Sequence, residues 1–266
     1  MLGARMTAYL QVLAQWATDV TEVNDFSMGG FSRAMDNPTT MLGIILLVVM
    51  GILGAVVQKR LMSVMNKFSQ VETPISGAET ARRMLEQHGI HDVKVISTKG
   101  KLTDHYNPAD KTVNLSEMVY NCNSITAMAV AAHECGHAVQ HATAYTWLRM
   151  RSSLVPVVNI GSRLGQIVLI AGLALVGSSG NTTVAWIGLA LFACTSIFAF
   201  ITLPVEFNAS RRALIWLNAS GLADDAMHGQ AQTALKWAAM TYVSAALASL
   251  AQLVYYAGLI LGRGRR

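Results

Sequence analysis

The chain has 266 residues, of which 53% are hydrophobic and 13% charged, against a usual charged share of about 25%. Such a composition excludes a single soluble core that hides every apolar run, and it makes the bilayer the second solvent. The formal net charge of +5 says less than its placement along the chain. Cys122, Cys135 and Cys194 form no CxxC pair and are odd in number, which speaks against a disulfide framework.

Residues 1–40 open the chain. Arg5 is the only early base, and no apolar core follows before Asp19, Glu22 and Asp25, so no cleaved signal is expected. Leu2, Met6, Tyr9, Leu10, Leu13, Trp16 and Val20 recur at three- and four-residue spacing and predict a helix with one apolar face, lying on the membrane or packed on protein. Residues 41–57 are free of charge, entered through Asn37-Pro38 and closed by Lys59 and Arg60, and read as a first span.

Residues 58–153 make the largest polar section. Within it, 78–89 reads as an amphipathic helix, 93–97 as a strand, and 102–114 as two short strands around Asn107-Pro108-Ala109-Asp110. Ser124 is a candidate N-cap for a long helix from Ile125 to about Ala144. Residues 154–205 read as a membrane hairpin. Its first arm is lengthened by a stretch whose Arg163 must snorkel or face protein. Its turn is Ser178-Ser179-Gly180-Asn181, and its second arm, 183–204, carries no charge. Residues 206–237 hold a polar segment and a helix from about Ala226, and 238–262 form the last span. Four spans result.

Residues 58–163 carry twelve Lys and Arg against two in 1–40, so the positive-inside rule places 58–163 in the cytoplasm and the N-terminus outside. Four spans then return the C-terminus to the outside, in conflict with its Arg263-Gly264-Arg265-Arg266.

The chemistry concentrates in His133-Glu134-Cys135-Gly136-His137, an H-E-x-x-H pattern on a predicted helix. Histidines four apart share a face and can reach one metal ion, and Glu134 stands beside them, placed to take a proton from a metal-activated water. Zinc lowers the pKa of such a water towards about 7. With seven His and seven Glu in the chain, random placement yields the pattern about 0.005 times. Ala129 to Ala132 are small and apolar, and Gly136 permits close approach of another helix; Cys135 reads as packing. The bland alternative is a pair of histidines hydrogen-bonded in a core.

A catalytic zinc needs a third protein ligand and an open position. His141, eight residues past His133, has drifted about 80° round the helix and risen about 12 Å, which makes it a poor ligand and suits it to a supporting or substrate-facing place. Glu206 directly follows a charge-free span, where a carboxylate is costly without a cation. It is either the third ligand or the partner of Arg211 or Arg212, although neither arginine sits at the favourable spacing of three or four.

Four stretches in order, 102–108, 131–141, 154–162 and 203–212, resemble the bacterial YugP-type neutral zinc metallopeptidases, within a similarity running from about Gly77 to Tyr242. The resemblance implies a mainly α membrane protein of about four transmembrane helices, with a gluzincin-like α+β section whose small β-sheet lies beside the metal helix. It implies one Zn2+ per chain held by His133, His137 and Glu206, with Glu134 as base. Members often carry Asp where this chain has Asn208. If that position orients a ligand histidine, an amide still accepts a hydrogen bond without adding charge. Gluzincin-like peptidases commonly hold an extended substrate on a strand edge beside the metal helix. His105 or Tyr106 then comes into question as a donor to the oxyanion, against a plainer role in ordering the turn at Asn107-Pro108; Arg211 and Arg212 are further substrate-binding candidates.

The expected activity is peptide-bond hydrolysis at the cytoplasmic face of a bacterial cytoplasmic (inner) membrane. A peptide or membrane-protein substrate and the lipid bilayer are the partners, and nucleic acid is not. Cleavage inside the bilayer would call for the metal helix within a span and an aspartate ligand, neither of which is evident. The alternative from another class is a noncatalytic zinc-containing membrane scaffold. Substrate identity and oligomeric state are not written in these residues.

Overall fold

Asn37 opens the first helix by accepting the Thr39 N–H on its side-chain oxygen at 2.9 Å, with Pro38 at the first helical position, where its missing N–H costs nothing. The structure is a computed structural model and describes residues 37–263; the apolar-faced helix expected near the N-terminus lies outside these residues. Helix α1 (Pro38–Phe68) runs past Val57, Lys59 and Arg60. The charges that close the apolar run mark a change of solvent, and Lys and Arg are good helix formers, so the helix continues.

Helix α2 (Gly77–Gln87) starts at Ser76, whose hydroxyl oxygen accepts the Glu79 N–H at 3.2 Å. Strands β1 (Lys94–Thr98), β2 (His105–Asn107) and β3 (Thr112–Ser116) form one sheet of order β1-β3-β2. β1 pairs in parallel with β3, from Lys94 opposite Thr112 to Thr98 opposite Ser116. β2 pairs antiparallel with β3, His105 opposite Asn114 and Asn107 opposite Thr112. The turn between β2 and β3 falls where Asn107-Pro108 predicts it. Asp104 fixes its approach, accepting the Ser116 N–H at 2.7 Å and facing the Ser116 hydroxyl at 3.2 Å. Helix α3 (Glu117–Asn121) went unpredicted, since five residues are too few to show a period.

Helix α4 (Ile125–Ala142) begins as expected at Ser124, which accepts the Ala127 N–H at 3.2 Å. Helices α5 (Thr146–Ser179) and α6 (Thr183–Ala219) follow, joined by the turn at 180–182 and each with one internal proline, Pro156 and Pro204. A proline removes one backbone hydrogen bond and bends a helix without having to end it, so α6 continues past Pro204 through Glu206. Helix α7 (Asp225–Arg263) likewise joins what the sequence divides into a helix and a last span. Asp224 caps it, accepting the Met227 N–H at 2.7 Å.

The described residues form two compact units. One comprises 57–149 and 203–241, with a core that includes Leu61, Met84, Leu115, Ile125, Met128 and Leu217. The other comprises the remaining described residues, with Leu169, Val176, Ala185, Leu189 and Ile260 at its core. In the second unit Ile45, Val48, Ile52, Ile160, Ile167 and Ile170 are exposed, an apolar exterior that suits lipid. Among the described residues α1, α5, α6 and α7 are each long and apolar enough to cross a membrane. The chain is a mainly α membrane protein with a small three-stranded sheet.

Within that second unit α5 and α6 touch backbone to backbone. A Cβ on Gly172 would come within 2.3 Å of the Ala185 nitrogen, and one on Gly188 within 2.3 Å of the Leu169 nitrogen. Small residues replace hydrophobic burial as the means of packing helices in lipid. Gly188→Leu is therefore expected to lower stability by about 1–3 kcal/mol or more through overpacking. Gly177→Leu, at a position with nothing within 4 Å, leaves it near wild type. Thermal unfolding of the two variants in detergent checks the contrast.

Candidate metal centre

Helix α4 is buried almost all round, from Ile125 through Gln140. A helix so enclosed must be slim where neighbours cross it, and Ala127, Ala129, Ala131, Ala132, Gly136 and Ala138 make it so. One close crossing is at Gly136, where an added Cβ would lie 2.5 Å from the Ala209 carbonyl oxygen of α6. Ala209 is three residues beyond Glu206, so this contact sets the Glu206 turn of α6 against the His133–His137 turn of α4.

The result is a convergence of three buried ligand groups. Donor atoms of His133, His137 and Glu206 all lie within 4.8 Å of one another. Nε2 of His133 is 3.4 Å from Oε2 of Glu206 and Nε2 of His137 is 3.5 Å from the same oxygen. The two rings meet edge to face with centroids 4.9 Å apart. His133 is 5% exposed, His137 7% and Glu206 2%.

The far nitrogens decide what the near ones can be. Gln140 Nε2 donates to the Val205 carbonyl at 2.8 Å and to Asn208 Oδ1 at 3.0 Å. A carbonyl only accepts, so the amide is oriented with Oε1 towards His137 Nδ1, 3.0 Å away. That oxygen takes a proton from Nδ1, which leaves Nε2 of neutral His137 as a lone pair aimed at a carboxylate. His133 Nδ1 is held by the Ser210 hydroxyl at 3.0 Å, and its Nε2 makes no hydrogen bond. The His137 lone pair facing a carboxylate in a buried site is costly unless a cation lies between them. A proton is one answer. Burial disfavours the imidazolium of His137, but the Glu206 carboxylate outweighs it and, with smaller help from Glu134 and Gln140, pushes its pKa up to about 9. A metal ion is the other, and two imidazoles with one carboxylate match the donor set of a catalytic zinc.

Glu134 is also buried, at 2% exposure. Its Oε2 accepts the backbone N–H of Tyr106 at 3.0 Å, while its Oε1 has no hydrogen bond. The bond to Tyr106 comes from the edge of β2 that does not pair with β3. Seven residues on, His141 Nδ1 meets the Tyr106 hydroxyl at 2.8 Å, so one strand residue grips α4 at two points. Burial raises the pKa of the nearby Asp104, to which the Glu134 charge adds, against the lowering effect of its Ser116 hydrogen bonds.

The other sequence candidates divide. His141 does not join the ligand cluster, as its rotation and rise along the helix predict. His105 Nδ1 pairs with the Thr103 carbonyl at 2.7 Å, on the approach to β2 and not at the Asn107-Pro108 turn. The hydroxyl of Tyr106, a candidate oxyanion donor, is engaged by His141. Asn208 and Arg212 belong to the support of His137: Arg212 Nε donates to Asn208 Oδ1 at 2.8 Å, and the guanidinium lies 5.9 Å from the Tyr145 ring centre. Arg211 is exposed. Cys135 is buried, its Sγ 3.5 Å from the Ala81 carbonyl, as packing. Gln140 and Ser210 were missed. Each stands one turn from a ligand, Gln140 three after His137 and Ser210 four after Glu206, and that spacing is the signal that could have found them.

Comparison with known proteins places the chain in a family. Residues 43–261 match the model of a family described as "Putative neutral zinc metallopeptidase". The chain is 41% identical over 206 residues to "Putative membrane protease YugP" of Bacillus subtilis (strain 168), covering 77% of this chain and 90% of that protein. No solved structure matches.

The Gly136 contact makes a prediction. Gly136→Ala forces α4 and α6 apart at Ala209, with an expected loss of about 1–3 kcal/mol in stability from overpacking and a marked loss of zinc affinity. Chelator competition on the purified variant checks the second effect; unchanged zinc affinity would show that the close approach is not what assembles the ligands.

Proposed function

Because this chain belongs to the neutral zinc metallopeptidase family, we propose that it is a membrane-embedded peptidase that hydrolyses peptide bonds with one Zn2+ held by His133, His137 and Glu206. The observation that carries this reading is the buried meeting of two imidazoles with one carboxylate, beside a second carboxylate with an unengaged oxygen.

Zinc, when bound, supplies a Lewis acid that makes water a nucleophile at neutral pH and polarises a carbonyl. The residues of the chain supply the rest. Glu134 acts as general base: the Tyr106 N–H holds Oε2, and Oε1 is left to accept a proton. Burial keeps bulk water from competing for that oxygen. The proton accepted by Glu134 passes to the leaving amine, as balance of the hydrolysis requires. Gln140 and Ser210 hold the two histidines by Nδ1, so that Nε2 faces the metal position. The edge of β2 that does not pair with β3 is the place where an extended peptide backbone would lie, although at Tyr106 its N–H is already given to Glu134.

The twelve Lys and Arg of 58–163 support a site facing the cytoplasm, and the family relationship supports a bacterial cytoplasmic membrane. A noncatalytic zinc scaffold is the rival. It predicts the same ligand cluster but has no use for a buried carboxylate with an unengaged oxygen.

Two variants separate the roles. Glu134→Gln is expected to retain zinc and to lower cleavage of a fluorogenic peptide library by about 10²- to 10⁴-fold, the usual worth of a general base. Glu206→Gln loses zinc itself. Cleavage unaffected by Glu134→Gln would favour the scaffold and would remove the peptidase reading.

A further inference from the structure

His137 ligates only in the tautomer that carries its proton on Nδ1, and Gln140 enforces that tautomer only if its amide faces the right way. An amide can turn over. Reversed, its NH2 group would face Nδ1, the proton would move to Nε2, and the ligand lone pair would be lost. The orientation of Gln140 is therefore part of the metal site.

Two one-way groups hold it. The Val205 carbonyl can only accept, and it takes one N–H of Gln140. The second N–H goes to Asn208 Oδ1. Asn208 is itself an amide and could present either end. Arg212 decides the matter, because Nε–H can only donate, and it donates to that same Oδ1 at 2.8 Å. The polarity then runs without ambiguity from Arg212 to Asn208, from Gln140 to Asn208, and from His137 to Gln140. Gln140 is fully buried, so water cannot substitute for a lost partner. The Tyr145 ring beside the guanidinium keeps Arg212 in place.

We propose that Arg212 and Asn208 are positioning residues that fix the ligating tautomer of His137 through Gln140. Neither belongs to the ligand cluster. The proposal rests on the zinc-site reading above and adds residues that act on it from a distance.

Replacement of Arg212 by two side chains of similar length gives the test. In Arg212→Gln the side-chain nitrogen falls where Nε was and can still donate to Asn208. In Arg212→Met that position is a methyl group. Both variants lose the charge and the contact with Tyr145, so only the hydrogen bond differs between them. Zinc affinity is measured by chelator competition on the purified full chain in detergent. Thermal unfolding of the zinc-free chain serves as the fold control, and 15N shifts of the imidazole nitrogens report the tautomer. Arg212→Met is expected to weaken zinc binding about tenfold or more, in the range found for lost supporting partners of ligands. It should also lose the single Nδ1–H signature of His137, whereas Arg212→Gln stays near wild type in both.

Equal affinities and equal tautomers in the two variants, high or low, would overturn the proposal. If Arg212→Met does not fold, Asn208→Asp and Asn208→Leu take its place. The aspartate accepts from both Gln140 and Arg212 and retains zinc, the leucine does not, and no difference between them would again overturn it. A wild-type chain that binds no zinc would refute the zinc-site reading instead, which keeps the two failures apart.

Discussion

Two imidazole nitrogens and a carboxylate oxygen are held face to face away from water at His133, His137 and Glu206, and the Gln140 amide leaves the His137 nitrogen an acceptor when that histidine is neutral. This arrangement is unfavourable until a cation enters it. Much of the surrounding structure serves to bring these groups together. The Nδ1 atoms are tied back by Ser210 and Gln140, and the helices that carry the ligands are packed too closely to part.

That closeness has a cost in side-chain volume. Helix α4 gives up large residues along the faces that other helices meet, and Gly136 gives up its side chain altogether where α6 crosses. The same solution recurs in the other unit, at Gly172 and Gly188, for a different reason: lipid offers no hydrophobic drive between helices, so packing itself must hold them. In α4 the close approach serves geometry, and in α5 and α6 it serves association. Helix α6 takes part in both, and it continues past Pro204 through Glu206.

Much of this was legible in the sequence, for reasons that differ by element. The metal pair was plain because the spacing of His133 and His137 is itself the chemistry. Ser124 and the turn at Asn107-Pro108 were plain because caps and turns are local. The ends of α1, α6 and α7 were not, because hydropathy reports the solvent around a helix while hydrogen bonding sets its length. Glu206 stood between two readings, ligand or partner of an arginine, and the structure brings its carboxylate to 3.4 and 3.5 Å from the two histidines. Gln140 and Ser210 were overlooked because a supporting residue has no spacing rule of its own; it becomes visible only when the ligand's second nitrogen is asked where its proton goes. His105 shows the same need for context, since its Nδ1 pairs with the Thr103 carbonyl of its own loop.

The most direct measurement is zinc-edge X-ray absorption on the purified chain. This account predicts one zinc per chain in a shell of two imidazole nitrogens and oxygen, at the roughly 2.0–2.2 Å usual for such ligands, with no sulfur. A chain without zinc, or a shell containing thiolate from a cysteine such as Cys135, would contradict it.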